Sequence, residues 1–335
     1  MLLTDIHYLI LFLVNLLIAK IMNTIPTINL ADFLSGDAKR KQDFVNAIGK
    51  AFQEVGFVAV RNHGVNKNNI DDFYDAVQHF FSLPETIKRN YEIAGLAGQR
   101  GYTSFGKEHA KGSTAADLKE FWQFGQTVTD NAEIKNEYPD NVEVKELPNF
   151  NLLGVSLYKN FENSGRELLR AIALFLELSE NYFDDKIHNG NSILRAIYYP
   201  PITEEPASAV RAEQHEDINL ITLLVGASAD GLEVMSTDGN WVPVKTAPDE
   251  IVVNVGDMLQ RLTNNILKST THRVVNPPKE KWSSPRYSIP FFLHPKSDVD
   301  LTCLDSCISE NNPLQYDPIT AGGYLDERLR EIGLK

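Results

Sequence analysis

The spacing His215-x-Asp217, joined much later by His272 and then by Arg286-x-Ser288, constrains this chain more than any other feature. In an extended strand, residues i and i+2 point to one face. His215 and Asp217 can therefore meet one ion from a strand, whereas a helical site needs ligands at i and i+4. His272 has to reach the same point from a distant strand, which demands a closed or folded-over sheet. Two imidazoles and one carboxylate on one side of a metal leave its other positions open. That donor set suits a non-haem Fe(II) centre that activates dioxygen.

The flanking residues supply the strands. Leu220–Val225, Ile251–Val255, Val274–Val275 after His272, and Tyr287–Leu293 after Arg286 are runs of β-formers. Asp238-Gly239 separates Leu232–Met235 from Trp241–Val244, a hairpin signal. Short strands broken by frequent turns predict a sandwich or a jelly roll, and a jelly roll's mouth gathers residues distant in sequence. Arg286 and Ser288 share a face by the same i, i+2 rule. A guanidinium grips a carboxylate through two parallel hydrogen bonds and a hydroxyl adds a third. A dicarboxylate with one end on Arg286 and Ser288 would reach the metal with its other end. Tyr199, closing the strand Ser192–Tyr199, is a further donor to that carboxylate.

In these residues the chain resembles the isopenicillin N synthase-like group of 2-oxoglutarate/Fe(II)-dependent oxygenases. The segments that carry the likeness are GFVAVRNHGV (56–65), YYPP (198–201), HEDINLITLL (215–224), NVGDMLQRLTN (254–264), STTHRVVNP (269–277) and RYSIPFFLHP (286–295). The resemblance implies a mainly β fold with flanking helices: a double-stranded β-helix core behind a helical N-terminal region. It implies Fe(II) held by His215, Asp217 and His272, and 2-oxoglutarate held through its C5 carboxylate by Arg286, Ser288 and Tyr199. Dioxygen is the remaining co-substrate. Plant members often have Asn two residues before the tyrosine; this chain has Ile197. The predicted organisation is an apolar extension over 1–21, a helical region over 22–185, the catalytic jelly roll over 186–300, and a tail with a helix over 301–335.

The front half reads as helices and isolated strands. Ile25–Leu30 alternates like an edge strand. Phe44, Ile48, Phe52 and Val55 repeat at helical spacing and end at Gly56, a C′ residue. Phe57–Val60 and Phe121–Phe124 read as strands, Ile70–Phe81 as a helix, Leu152–Tyr182 as a long buttressing helix, and 322–332 as a C-terminal helix. Residues 95–106, with glycines at 95, 98, 101 and 106, read as a loop. They lack the strand–GxGxxG–helix context of a dinucleotide site.

Substrate-facing candidates are Phe292, which shares the Arg286 face, then Arg211, of His215 parity, and Tyr102. Gln99, Arg100 and Lys107 belong to the same loop region. His63 and His294 read as ordinary structural histidines. The net charge of −13 opposes nucleic-acid partners, whose phosphates are held by Lys and Arg. Cys303 and Cys307, the only cysteines, form no disulfide framework or zinc set, and read as free thiols of a cytoplasmic protein. Ile6–Ala19 is apolar but shorter than the ~20 residues of a bilayer span. It also lacks the basic start and cleavage site of a secretory signal. Met22 then reads as the biological start, with a weak anchor as the other option.

The expected enzyme couples decarboxylation of 2-oxoglutarate to oxidation, by hydroxylation or desaturation, of a small-molecule C–H bond. Two other readings fit the same residues: an iron oxidase that puts the substrate's own carboxylate on Arg286, and a metal-binding jelly roll or zinc hydrolase.

Overall fold

The computed structural model describes residues 25–96, 98–108, 116–206, 209–226 and 230–331. The apolar segment before Met22 lies outside them. Among the described residues, no helix is long and apolar enough to cross a membrane.

Five helices matter for the site: α1 (Ala38–Glu54), α2 (Lys67–Ser82), α3 (Phe150–Phe175), α4 (Asp257–Leu262) and α5 (Ala321–Glu331). Asp37 caps α1 by accepting from the amides of Lys39 and Arg40, and Asn66 caps α2 through the amide of Asn68. The predicted long helix ends at Phe175 rather than Tyr182. The chain turns there through Glu177 at φ 59°, a left-handed conformation that no helix continues through.

Among the described residues, twelve strands form two sheets. The large sheet contains β1 (Thr27–Asn29), β2 (Phe57–Arg61), β3 (Gly101–Thr103), β4 (Glu120–Gly125), β5 (Ile193–Tyr199), β7 (Ile221–Val225), β10 (Glu250–Val255) and β12 (Arg286–Leu293). Their spatial order is β1-β2-β10-β7-β12-β5-β4-β3. The small sheet has the order β6-β11-β8-β9, built from β6 (Ala212–His215), β8 (Leu232–Met235), β9 (Trp241–Pro243) and β11 (His272–Val274). Strand β3 lies in the stretch read as loop: its three residues pair with β4 on the sheet edge, too few to show a periodicity.

Alternation along the strands makes the large sheet a partition. Ile289, Phe291 and Leu293 of β12, Ile221 and Leu223 of β7, and Ile251 and Val253 of β10 pack in one core with α1, α2 and α3. The opposite face meets the small sheet. Phe57, Ala59 and Val252 pack there against Val234 and Val242, and Phe121, Ile197 and Tyr199 against Ala212 and Val274. Helices, large sheet, small sheet is therefore the layer order, with an inter-sheet space that is apolar only in part. This is the mainly β, helix-flanked jelly-roll architecture expected from the sequence.

Candidate active site

A cavity of about 860 Å³ opens between the sheets. Its wall follows the parity of two paired strands: positions 286, 288, 290, 292 and 294 on β12 and just beyond, and positions 191 to 199 at every second residue on and before β5.

His215 and His272 face each other as cross-strand partners of β6 and β11, with ring centroids 4.4 Å apart. Asp217 is not on the strand as its spacing suggested. β6 ends at His215, and the chain bends to meet the first amides of α4. The Asp217 carbonyl accepts from the Asp257 amide at 2.7 Å, and the Gly256 amide donates to the Leu220 carbonyl at 2.9 Å. The helix start thus replaces the missing strand as the support for Asp217.

Each candidate ligand atom is aimed by its side chain's other end. His215 Nδ1 lies 2.7 Å from the Glu213 carbonyl, and His272 Nδ1 3.1 Å from the Thr270 carbonyl. A carbonyl only accepts, so both Nδ1 atoms carry the proton and both Nε2 lone pairs are free for an ion. Asp217 Oδ2 is occupied by Thr222 Oγ1 (2.6 Å) and Asn254 Nδ2 (2.8 Å). Oδ1 is left, 3.9 Å from His215 Nε2 and 3.8 Å from His272 Nε2. The three donors lie within 4.8 Å of one another and form the one such cluster among the described residues.

The electrostatics agree with the donor chemistry. Burial, then the neighbouring His272, pulls the His215 pKa below its ordinary value, which favours the neutral, ligating imidazole. Burial pushes the Asp217 carboxyl up, but the two imidazoles and the Asn254 and Thr222 hydrogen bonds outweigh it and the group stays acidic. Carbonyl-anchored imidazoles and an ionised carboxylate fit an open-sided divalent iron centre.

Arg286, Ser288 and Tyr199 are buried in the same cavity. Arg286 pairs with Tyr199 across β12 and β5, and its guanidinium stands 4.9 Å from the tyrosine ring centroid. Ile197 sits opposite Ser288. Phe292 lines the cavity opposite Thr222 of β7, in the row that supports Asp217.

Two candidates lie elsewhere. Tyr102 pairs with Trp122 and shares its core face; its hydroxyl donates to Glu120, itself paired with Lys88 at 2.7 Å, so it points away from the cavity. Arg211 is buried behind Tyr199 and donates to the Ser284 carbonyl at 3.0 Å. Its cavity-facing parity is lost because β6 begins only at Ala212. In the loop region, Gln99 lines the cavity, whereas Arg100 is buried against the Gln99 carbonyl and Lys107 pairs with Glu92.

Sequence reading missed Thr222 and Asn254, whose only signal was polarity inside apolar strands. It also missed a charged wall beside His215. Arg195 Nη1 donates to Glu108 at 3.1 Å, and Lys119 Nζ lies 2.8 Å from Glu108 and 2.7 Å from Asp117. His294, read as structural, lines the cavity as well.

Comparison with known proteins matches this geometry. Residues 25–146 fit the family described as the N-terminal region of non-haem dioxygenases in morphine synthesis, and residues 190–295 the 2OG-Fe(II) oxygenase superfamily. The chain is similar to the 2-oxoglutarate-Fe(II) type oxidoreductase ppzD of Metarhizium majus, at 30% identity over 91% of this chain and 94% of the relative. A crystal structure of a 2OG-Fe(II) oxygenase family protein from Caulobacter crescentus aligns with TM-score 0.83 and 41% identity, covering 92% of this chain and 99% of the other. Neurospora crassa T7H in complex with alpha-KG and thymine aligns with TM-score 0.80 and 31% identity, over 91% and 96% of the two chains. The chain belongs to the 2-oxoglutarate/Fe(II)-dependent oxygenases, in their isopenicillin N synthase-like branch, and is an oxidoreductase with Fe(II) and 2-oxoglutarate as its cofactors.

Proposed function

We propose that His215, Asp217 and His272 ligate the iron, and that Arg286, Ser288 and Tyr199 take the distal carboxylate of 2-oxoglutarate. The arrangement of the donors carries the reading: Nε2, Nε2 and Oδ1 converge while every other polar atom of the three side chains is already engaged. When bound, iron, co-substrate and dioxygen supply an oxidation of a substrate C–H bond that leaves succinate and carbon dioxide.

The chain's own residues prepare that chemistry. Glu213 and Thr270 carbonyls hold the imidazole protons away from the ion. Arg286 orients the co-substrate from one end of β12 so that its other end reaches the iron. Phe57, Leu224, Leu232 and Val252 line the adjoining wall and keep water from it. Phe292 stands in the row that supports Asp217, where it contacts a substrate presented to the iron.

A small-molecule substrate suits a cavity of this size, and the charge of −13 supports it over nucleic acid. Two buried free cysteines support a reducing, cytoplasmic setting. The test is anaerobic reconstitution with Fe(II), metal analysis, and succinate release on admitting oxygen and 2-oxoglutarate. Tight zinc retention with no succinate would replace this reading with a hydrolytic or silent metal site.

A further inference from the structure

A charge buried away from water is costly unless an opposite charge and a full set of hydrogen bonds meet it. Arg211 breaks that rule. It is 2% exposed. Its Nη2 donates to the Ser284 carbonyl at 3.0 Å, while its Nε is buried with no partner among the described residues. Among those residues, the ionisable groups that act on it are Arg286, which repels it, and Tyr199. Burial, then Arg286, lowers its pKa to about 10, which still leaves the guanidinium charged at neutral pH.

Two arginines lie over one ring. The Arg286 guanidinium is 4.9 Å from the Tyr199 ring centroid and the Arg211 guanidinium 5.9 Å. The two guanidinium carbons are therefore no farther apart than those distances laid end to end. Arg286 and Tyr199 line the cavity, and Arg211 is buried behind the tyrosine. A molecule in the cavity meets the Arg211 charge without touching its atoms. The backbone holds that charge in place. Arg211 immediately precedes β6, which ends at His215, and its partner Ser284 lies just before β12, which begins at Arg286.

Stability alone does not account for an arginine here. An apolar side chain of similar length would fill the space without the electrostatic cost, and replacing buried charge in that way is often neutral or stabilising. An anion in the adjoining cavity does account for it, because both cations attract it and it offsets their mutual repulsion. At a range of this order, with an effective dielectric constant of about 20, one charge changes the affinity for an anion roughly tenfold.

We propose that Arg211 is a positioning residue for the co-substrate: its charge, acting across the Tyr199 ring, adds to that of Arg286 in holding the distal carboxylate of 2-oxoglutarate. Its hydrogen bond to Ser284 keeps the charge at that place. The assignment rests on the reading of Arg286, Ser288 and Tyr199 given above.

The test uses the Fe(II)-loaded full chain without oxygen and reads binding by titration calorimetry. The ligands are 2-oxoglutarate and 2-oxovalerate, which has the same chain length with a methyl group in place of the distal carboxylate, each taken to concentrations that saturate the wild type. Arg211→Met weakens 2-oxoglutarate about tenfold and 2-oxovalerate by less than about threefold, and leaves the affinity for Fe(II) alone at its wild-type value. Arg211→Lys, which restores the charge, holds 2-oxoglutarate within about threefold of wild type. If Arg211→Met fails to fold, Arg211→Gln, polar and neutral, is measured with the same expectation. Equal losses for the two ligands, or an unchanged affinity for 2-oxoglutarate without the charge, overturn the proposal, and so does a lysine variant as weak as the neutral one. Arg286→Met tests the reading beneath it. Unless that variant also weakens 2-oxoglutarate far more than 2-oxovalerate, the distal carboxylate is not held at Arg286, and the co-substrate assignment itself fails.

Discussion

At the scale of single residues, the proposed assignment separates groups that would touch the ion from groups that aim them. His215→Ala removes a ligand, and metal analysis after anaerobic reconstitution is expected to show loss of iron together with loss of succinate formation. Retained activity would remove His215 from the ligand set. Thr222→Val leaves all three ligands but frees Asp217 Oδ2, which now accepts only from Asn254. Iron affinity should fall about 10–100-fold, the usual effect of deleting a group that orients a metal ligand. Equilibrium dialysis measures it, and a wild-type affinity would mean that Asn254 alone holds the carboxylate. Arg286→Ala should weaken 2-oxoglutarate by about 2–5 kcal/mol, because a buried carboxylate loses its partner. An unchanged KM for 2-oxoglutarate would move the carboxylate elsewhere. His215, Asp217, His272, Arg286 and Ser288 stood out in the sequence because spacing and chemistry coincide there. Thr222 and Asn254 did not, since one hydroxyl and one amide inside apolar strands resemble many others.

At the scale of elements, turns and register place the ligands. Gly56 follows α1 at φ 76°, and a Cβ there would lie 2.4 Å from both the Lys268 carbonyl and Thr270 Oγ1. The same contact region ties α1 to the approach of β11: the Lys268 amide donates to the Phe52 carbonyl and Thr270 Oγ1 to the Val55 carbonyl. Gly56→Ala is therefore expected to cost on the order of 2 kcal/mol or more, through left-handed strain and a clash with backbone. It should also loosen iron binding, because Thr270 also supplies the carbonyl that orients His272. Thermal denaturation with and without Fe(II) reads both effects; a stability loss with intact iron affinity would show that the strain stays local. The helices α1 and α2 were legible because their apolar stripes and caps agree. Strand β3 and helix α4 were not: one is three residues long and the other six, too short for either to show a periodicity.

At the scale of the whole molecule, the cavity buries ionisable groups whose pKa values link stability to pH. Burial lowers the His294 pKa from 6.5 to about 4. Burial would raise Glu108, but Arg195 and Lys119 hold it down, from 4.5 to about 2. Both folded values lie below the unfolded ones, so each contribution is full above the unfolded pKa and is lost on acidification. The His294 contribution fades between pH 6.5 and 4, joined by that of His215, and the Glu108 contribution between pH 4.5 and 2. The His294 and Glu108 contributions are each at most roughly 3.4 kcal/mol. Urea denaturation across pH should show both, and His294→Gln should flatten the upper one; an unaltered slope there would assign that window to other groups. The sequence by itself determined the donor types of the centre and the β character of its frame, because residue identity writes the one and alternation the other, while the i, i+2 strand geometry expected of Asp217 did not hold. Only the tertiary structure decided what surrounds the centre. Glu108, Lys119, Arg195 and His294 come from four separate stretches of chain, and the fold brings them to one cavity. Tyr102 and Arg211 failed as cavity residues for the same reason: which face of an element turns inward depends on where a strand begins and what packs behind it, and no local spacing records that.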